Sequence, residues 1–230
     1  MTNSPPRQKK RSPSSANKKY YPAFLDLNGR NCVVIGGGRV AERKCAALLD
    51  AGAKVRVIST ALTDRLEDYK GRGLIKHIRR RYRRGDLRCA FLAIAATDAT
   101  EVNRAIAADA KRFKVLLNVV DKPSLCNFIV PSSVRRGPLT IAISTGGASP
   151  AAAKSIREEL EKLYGGEFSK YLTFLRNTRI RVLDKIEDRE ARKNIFKKLA
   201  SADFIKLLRE KGVRRAVERA SGLLKGSRGL

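Results

Sequence analysis

The stretch "NCVVIGGGRVAERK", Asn31 to Lys44, sets three consecutive glycines between a β-branched apolar run and a helix-forming segment. A short run of this kind, buried on both faces, reads as a strand of a parallel sheet. The glycines then fall where a strand turns into a helix. In the pattern G-x-G-x-x-G/A the first glycine permits the tight turn and the second lets backbone approach a pyrophosphate. The third small residue lets helix and strand pack closely. Gly36, Gly38 and Ala41 fill those places, with Gly37 between. Free N–H groups from Arg39 through Val40 to Ala41 would then face a phosphate, helped by the helix dipole.

Working outward, strand and helix signals alternate. "RVAERKCAALLDAG" has a helical apolar stripe and ends at Gly52, "AKVRVIS" is the next strand, and "ALTDRLEDYKGRG" a helix ending at Gly71 or Gly73. "LIKHIRRRY" predicts a third strand, "CAFLAIAAT" a fourth, "DATEVNRAIAADAKRF" a helix with Asp98 or Thr100 near its cap, and "KVLLNVV" a fifth strand. This rhythm predicts an α/β fold, a Rossmann-like parallel sheet wrapped by helices. After Asp121 the rhythm changes. "FIVPSSVRRGPLTIAIST" reads as two β segments around the turn "RRGP", and Ser149 and Pro150 fit the N-cap and first position of the next helix. From Glu167 onward "FSKYLTFLRNTRIRVLDKI", "REARKNIFKKLASADFIKLLREKG" and "VRRAVERASGLL" have helical spacing. The predicted organisation is a disordered basic tail over 1–19 and a dinucleotide-binding domain over 20–122. A small β region over 123–165 and a helical domain over 166–230 complete it.

Composition bounds the chemistry. Four cysteines without a CxxC pair, and one histidine in the chain, suit neither a disulfide framework nor a zinc site, so no metal ligands are expected. No apolar run reaches the length of a membrane span and no signal-peptide core opens the chain, so the expected address is cytoplasmic. A formal net charge of +28 implies attraction to polyanions: nucleic acid, anionic lipid, or a small substrate carrying many carboxylates.

Two stretches besides the glycine loop carry candidate chemistry. In "LLNVVDKPSLCNF" Asp121 follows a strand end, where ligands of open parallel sheets bind, and partial burial beside a nicotinamide would suit it as a proton acceptor. Asp serves equally well as a plain turn residue. "STGGASP", Ser144 to Pro150, offers hydroxyls and glycine amides that either hold an anion or cap the helix, and spacing favours the cap. The second strand ends at Ser59 and Thr60 rather than the Asp or Glu that commonly holds the ribose of NAD. Arg56 is placed within that strand, as a remote candidate for a 2′-phosphate.

Taken in order, "YPAFLDLNGRNC", "VVIGGGRVAERK", "AIAATDATEVN", "NVVDKPSLCNFIVPS" and "LTIAISTGGASPAAAKSIRE" resemble the precorrin-2 dehydrogenase and sirohydrochlorin ferrochelatase family, the N-terminal module of siroheme synthases, over roughly residues 21–163. The resemblance implies NAD-dependent oxidation of precorrin-2 to sirohydrochlorin, with insertion of Fe²⁺ in some members. It implies that Asp121 is the essential acid. It also implies cofactor contacts at Gly36, Gly38, Arg39 and Val40, at Ser59, Thr60 and Ala61, and at Thr97 and Asp98. Thr145 stands where some relatives carry a phosphorylatable serine. An interlocked homodimer formed around 128–163 is implied too, and with no methyltransferase domain in the sequence, a stand-alone form. Arg135 and Arg136, with Ser144 and Thr145, are candidates to meet substrate carboxylates, since guanidinium pairs with carboxylate in bidentate fashion. Two other readings stand beside this one. One is a basic nucleic-acid-binding protein, favoured by the tail and by "RRRYRRGDLR" but lacking an RNA- or DNA-reading motif. The other is a non-catalytic module that senses NAD or tetrapyrrole on the same fold.

Overall fold

A computed structural model describes residues 19–226; the basic tail over 1–18 lies outside them. By internal contacts the chain divides into two units, the first running to Val130 and the second starting at Pro131.

The first unit is built on five parallel strands: β1 (Asn31–Ile35), β2 (Lys54–Ser59), β3 (Ile75–Arg79), β4 (Leu92–Ala95) and β5 (Leu116–Val119), in the order β3-β2-β1-β4-β5. Side chains of a strand alternate between faces, and β1 shows what that does here. Cys32 and Val34 enter one core with Ala41, Cys45 and Leu48 of α1 (Arg39–Asp50) and Leu66 of α2 (Asp64–Gly71). Val33 and Ile35 enter the opposite core with Ile106 and Ala110 of α3 (Thr100–Phe113). Two helices therefore cover one face and one helix the other, and the strand order reverses between β1 and β4. The Rossmann-like reading holds.

Three details correct or extend the sequence reading. The third strand stops at Arg79 rather than Tyr82, because Arg80 turns away to grip Asp86 through both Nη atoms at 2.7 Å. Neither Asp98 nor Thr100 caps α3. Its N-cap is Ala99, which has no side-chain acceptor to offer, while the Thr97 hydroxyl takes the Ala99 amide at 3.1 Å. No helix joins β3 to β4. A loop crosses instead, with Leu87 buried, Tyr82 Oη and the Gly85 amide both donating to the buried Asp109 carboxylate (2.6 and 2.7 Å), and Arg56 Nη2 donating to the Asp86 carbonyl (2.7 Å).

The second unit opens with the antiparallel hairpin β6 (Ser132–Arg136) and β7 (Leu139–Ile143), turned by Gly137 at φ 57°. Four helices follow: α4 (Pro150–Leu163), α5 (Gly166–Lys185), α6 (Arg189–Leu199) and α7 (Ala202–Gly226). The second long helical stretch breaks at Ala200 and Ser201, and the boundary expected at Gly212 is present: at φ 78° and ψ 174° that glycine is not helical, and it divides α7 into two helical segments. Tyr171, Phe204, Leu208 and Ala216 sit in the core of these helices, and Tyr171 Oη donates to the Leu199 carbonyl at 2.8 Å.

Candidate functional site

The carboxyl edge of the sheet gathers the glycine loop, the ends of β2 and β4, and Asp121. Gly36 has φ 116°, a region that side chains other than glycine's rarely occupy, and a β-carbon there would strike the Ala96 carbonyl at the end of β4. A β-carbon on Gly37 would strike the Ala61 carbonyl. The loop is pinned on both sides: Gly36 N donates to the Ile58 carbonyl (2.9 Å) and Thr63 N to the Gly37 carbonyl (3.0 Å). Gly38 is different. Space around its missing side chain is open, and it is the N-cap of α1. No side chain caps that helix among the described residues, so the first amides, at Arg39, Val40 and Ala41, keep their donors free. The acid of this first turn is already engaged: Glu42 Oε2 accepts from the Thr63 hydroxyl at 2.7 Å. A glycine pinned against β4, an open glycine beside it and unclaimed amides form a cradle that fits the pyrophosphate of a dinucleotide.

The second strand's end is less open than its sequence suggested. Ser59 is buried, with Oγ 3.1 Å from His77 Nε2, and the same nitrogen lies 3.0 Å from the Ser59 carbonyl. Its hydroxyl is thus held by β3, while Thr60 and Ala61 are exposed at the edge. Arg56 does not reach this edge; it points to the face crossed by the β3–β4 loop. Beyond β4, Thr97 is half-buried and Asp98 exposed. The Thr97 carbonyl is fixed by Asn103 Nδ2 at 2.8 Å, and Asn103 itself is buried with its Oδ1 unpartnered among the described residues. Sequence reasoning passed over Asn103. Its signal was a carboxamide on the apolar stripe of α3, where burial demands a partner.

Asp121 sits in the turn after β5 with φ 57°. Its side chain is exposed, so residues of this unit do not bury it as expected. Among the described residues its carboxylate accepts no hydrogen bond and makes no ion pair, which distinguishes it from an acid that closes its own turn. The turn is held from the other side. Cys126 Sγ accepts from Val119 N at 3.1 Å and lies within reach of the Val119 and Lys122 carbonyls. Asn127 completes the open edge of β5, accepting from Leu117 N (2.7 Å) and donating to the Val115 carbonyl (2.9 Å). Burial pushes the Cys32 thiol up to about 11, and burial with the Glu42 charge pushes Cys45 up to about 12, so neither thiol is a nucleophile.

The remaining candidates belong to the second unit. Arg135 is exposed, whereas Arg136 is committed to backbone, its Nε donating to the Tyr164 carbonyl at 3.0 Å and its Nη1 to the Arg135 carbonyl at 2.9 Å. Thr145 Oγ1 bonds the Ser149 amide and carbonyl (3.1 Å each), and Ser144 Oγ accepts from Gly146 N (3.1 Å). Ser149 caps α4 by accepting from Ala152 N at 3.1 Å. In this unit, then, the "STGGASP" hydroxyls are spent on the turn. No group of three or more His, Cys, Asp or Glu side chains converges among the described residues, and none of their helices is long and apolar enough to cross a membrane.

Comparison with known proteins agrees with this layout. Residues 23–132 match a family model for NAD(P)-binding, and residues 136–163 one described as sirohaem biosynthesis protein central. A solved structure titled SirC, precorrin-2 dehydrogenase, superposes with a TM-score of 0.74 at 26% identity, covering 88% of this chain and 100% of that one. The chain belongs to the precorrin-2 dehydrogenase family. Curated relatives are siroheme synthases. That of Thioalkalivibrio sulfidiphilus is 35% identical over 87% of this chain, and that of Chromobacterium violaceum 39% identical over 77%. The chain spans 42% and 38% of those two proteins' own lengths.

Proposed function

We propose that this chain oxidises precorrin-2 to sirohydrochlorin, a step of siroheme biosynthesis, with NAD as hydride acceptor. One observation carries the reading: a helix start with unclaimed amides and an unpartnered carboxylate, Asp121, lie on the same edge of one sheet. A bound nicotinamide supplies the hydride-accepting ring. The chain supplies the rest. The Arg39, Val40 and Ala41 amides hold the pyrophosphate, and Gly38 leaves room for it. Thr97, fixed by Asn103, and the exposed Thr60 and Ala61 border the dinucleotide. Asp121 takes the proton that the substrate loses alongside the hydride, which a carboxylate with no other partner is free to do. The excess of positive charge, with exposed Arg135 as one contact, attracts a substrate rich in carboxylates.

The absence of an acid at the end of β2 leaves the 2′ position without a charged partner, so NAD over NADP rests on the family. Chelation of Fe²⁺ belongs to the proposal as a second step, in which Asp121 accepts the displaced pyrrole protons. So does a homodimer, supported by Ile156 and Leu163, exposed seven residues apart on α4.

The test supplies precorrin-2 with NAD or NADP and follows sirohydrochlorin absorbance. Asp121→Asn is expected to lower kcat by about 100-fold or more, in the range of lost acid–base catalysis, with cofactor affinity within twofold of the parent. Unchanged turnover in that variant removes Asp121 from the mechanism. Adding Fe²⁺ to the product reads the chelation step separately.

A further inference from the structure

The opposite, amino edge of the same sheet carries a second concentration of charge that the cofactor reading leaves unused. On the face that holds Val33 and Ile58, the amino halves of β1, β2 and β3 present Asn31, Lys54, Arg56 and Lys76. A helix between β3 and β4 would cover this face; the loop that crosses instead leaves an open cavity of about 280 Å³, bordered by Arg88 and Cys89. Four cations and no acid line it. Asp86, whose carbonyl Arg56 holds, is itself taken: both its carboxylate oxygens are held by Arg80 at 2.7 Å, and one also accepts from Arg83 N at 2.8 Å. Burial works to raise the Asp86 carboxyl, but these hydrogen bonds and the Arg80 and Arg56 charges outweigh it and hold the group below its ordinary range. It stays ionised and committed.

Arg56 ties this wall of the cavity to the crossing loop. Its Nη2 is spent on the Asp86 carbonyl, while its Nε is buried with no acceptor among the described residues. Arg88 is held over the Phe113 ring at 6.0 Å from its centroid, so one wall of the cavity is fixed by packing. Four cations and no acid around a cavity walled by strands are the features of an oxyanion site.

We propose that this cavity binds a small, multiply charged oxyanion, a phosphorylated or polycarboxylate molecule, at a site separate from the glycine loop. The two lie at opposite ends of β1, about 16 Å apart by strand rise from Asn31 to Gly36, and the proposal stands whatever the loop holds.

Cys89 reports on the cavity. It is exposed, while Cys32, Cys45 and Cys126 are buried, so the full chain should contain one fast-labelling thiol, absent in Cys89→Ser. Inorganic pyrophosphate and citrate are the probes, each against chloride at equal ionic strength. The expected result is at least fivefold slower Cys89 labelling and a higher melting temperature with one or both probes. Both effects should be lost in Lys76→Ala/Arg88→Ala, whose truncated side chains are exposed, and kept in Gly38→Asp, which alters the loop at the other edge. Response to pyrophosphate alone assigns phosphate chemistry, and response to citrate as well assigns clustered carboxylates. Unchanged labelling at millimolar probe, or protection that persists in the double variant, overturns the site.

Discussion

The helices after β1 and β2 start at the same edge of one sheet, yet they begin in opposite ways. At α2 the Thr63 side chain accepts from the Leu66 amide, and the helix closes its own first turn. At α1 the corresponding place is Gly38, which offers no side chain, and the donors stay open. A capped start is the cheaper arrangement for a helix by itself, worth about 0.3 kcal/mol over glycine. Gly38 forgoes that stabilisation and leaves the donors of α1 to a ligand, at the sheet edge where ligands of open parallel sheets bind. Glu42 sharpens the contrast, because the one carboxylate of the first turn of α1 is turned to the Thr63 hydroxyl. The same threonine that completes α2 holds an acid already engaged beside the opening of α1.

Three substitutions test this contrast. The largest effect is expected from Gly36→Val. Its β-carbon would meet the Ala96 carbonyl at a φ that a β-branched residue does not tolerate, and we expect loss of about 3 kcal/mol or more of stability, read by denaturant unfolding. Retained stability would mean that the loop is not packed against β4. Next comes Gly38→Asp. With open space and φ −87° the residue fits, and its carboxylate caps the helix, so unfolding should show no loss and a gain of about 0.3 kcal/mol. Cofactor affinity, by titration calorimetry, should nonetheless fall about 100-fold, because a fixed anion then occupies the phosphate's position. A variant that binds as well as the parent would show that these amides hold nothing. The smallest effect belongs to Thr63→Ala, which opens α2 and frees Glu42. It should cost about 1 kcal/mol by the same unfolding measurement, with a modest decrease in cofactor affinity as the released acid nears the phosphate.

What could be read from the sequence follows from range. The glycine loop, the apolar strands and the Ser149–Pro150 helix start are local patterns, in which a few adjacent residues determine the backbone they adopt. Asn103, Cys126 and Asn127 were not legible, because each acts by bonding main chain several residues away along a path that only the folded loop defines. The same limit explains the arginine-rich segment. Its composition favoured a nucleic-acid-binding surface. In the fold Arg80 and Tyr82 are anchored to Asp86 and Asp109, and burial, then the hydrogen bond to Asp109 and its charge, raise the Tyr82 hydroxyl far above its ordinary range. Asp121 was legible as an acid at a strand end. That it would stand free of partners was not, since spacing cannot distinguish a turn-closing carboxylate from an idle one.

The sulfur beneath the β5 turn has a consequence of its own. Because Cys126 and Asn127 take over the hydrogen bonding that a sixth strand would provide, this flank of the sheet has little left with which to recruit a neighbouring chain. The segment that carries Asp121 is therefore stitched to its own successor, and the acid keeps its station without relying on any second molecule for support.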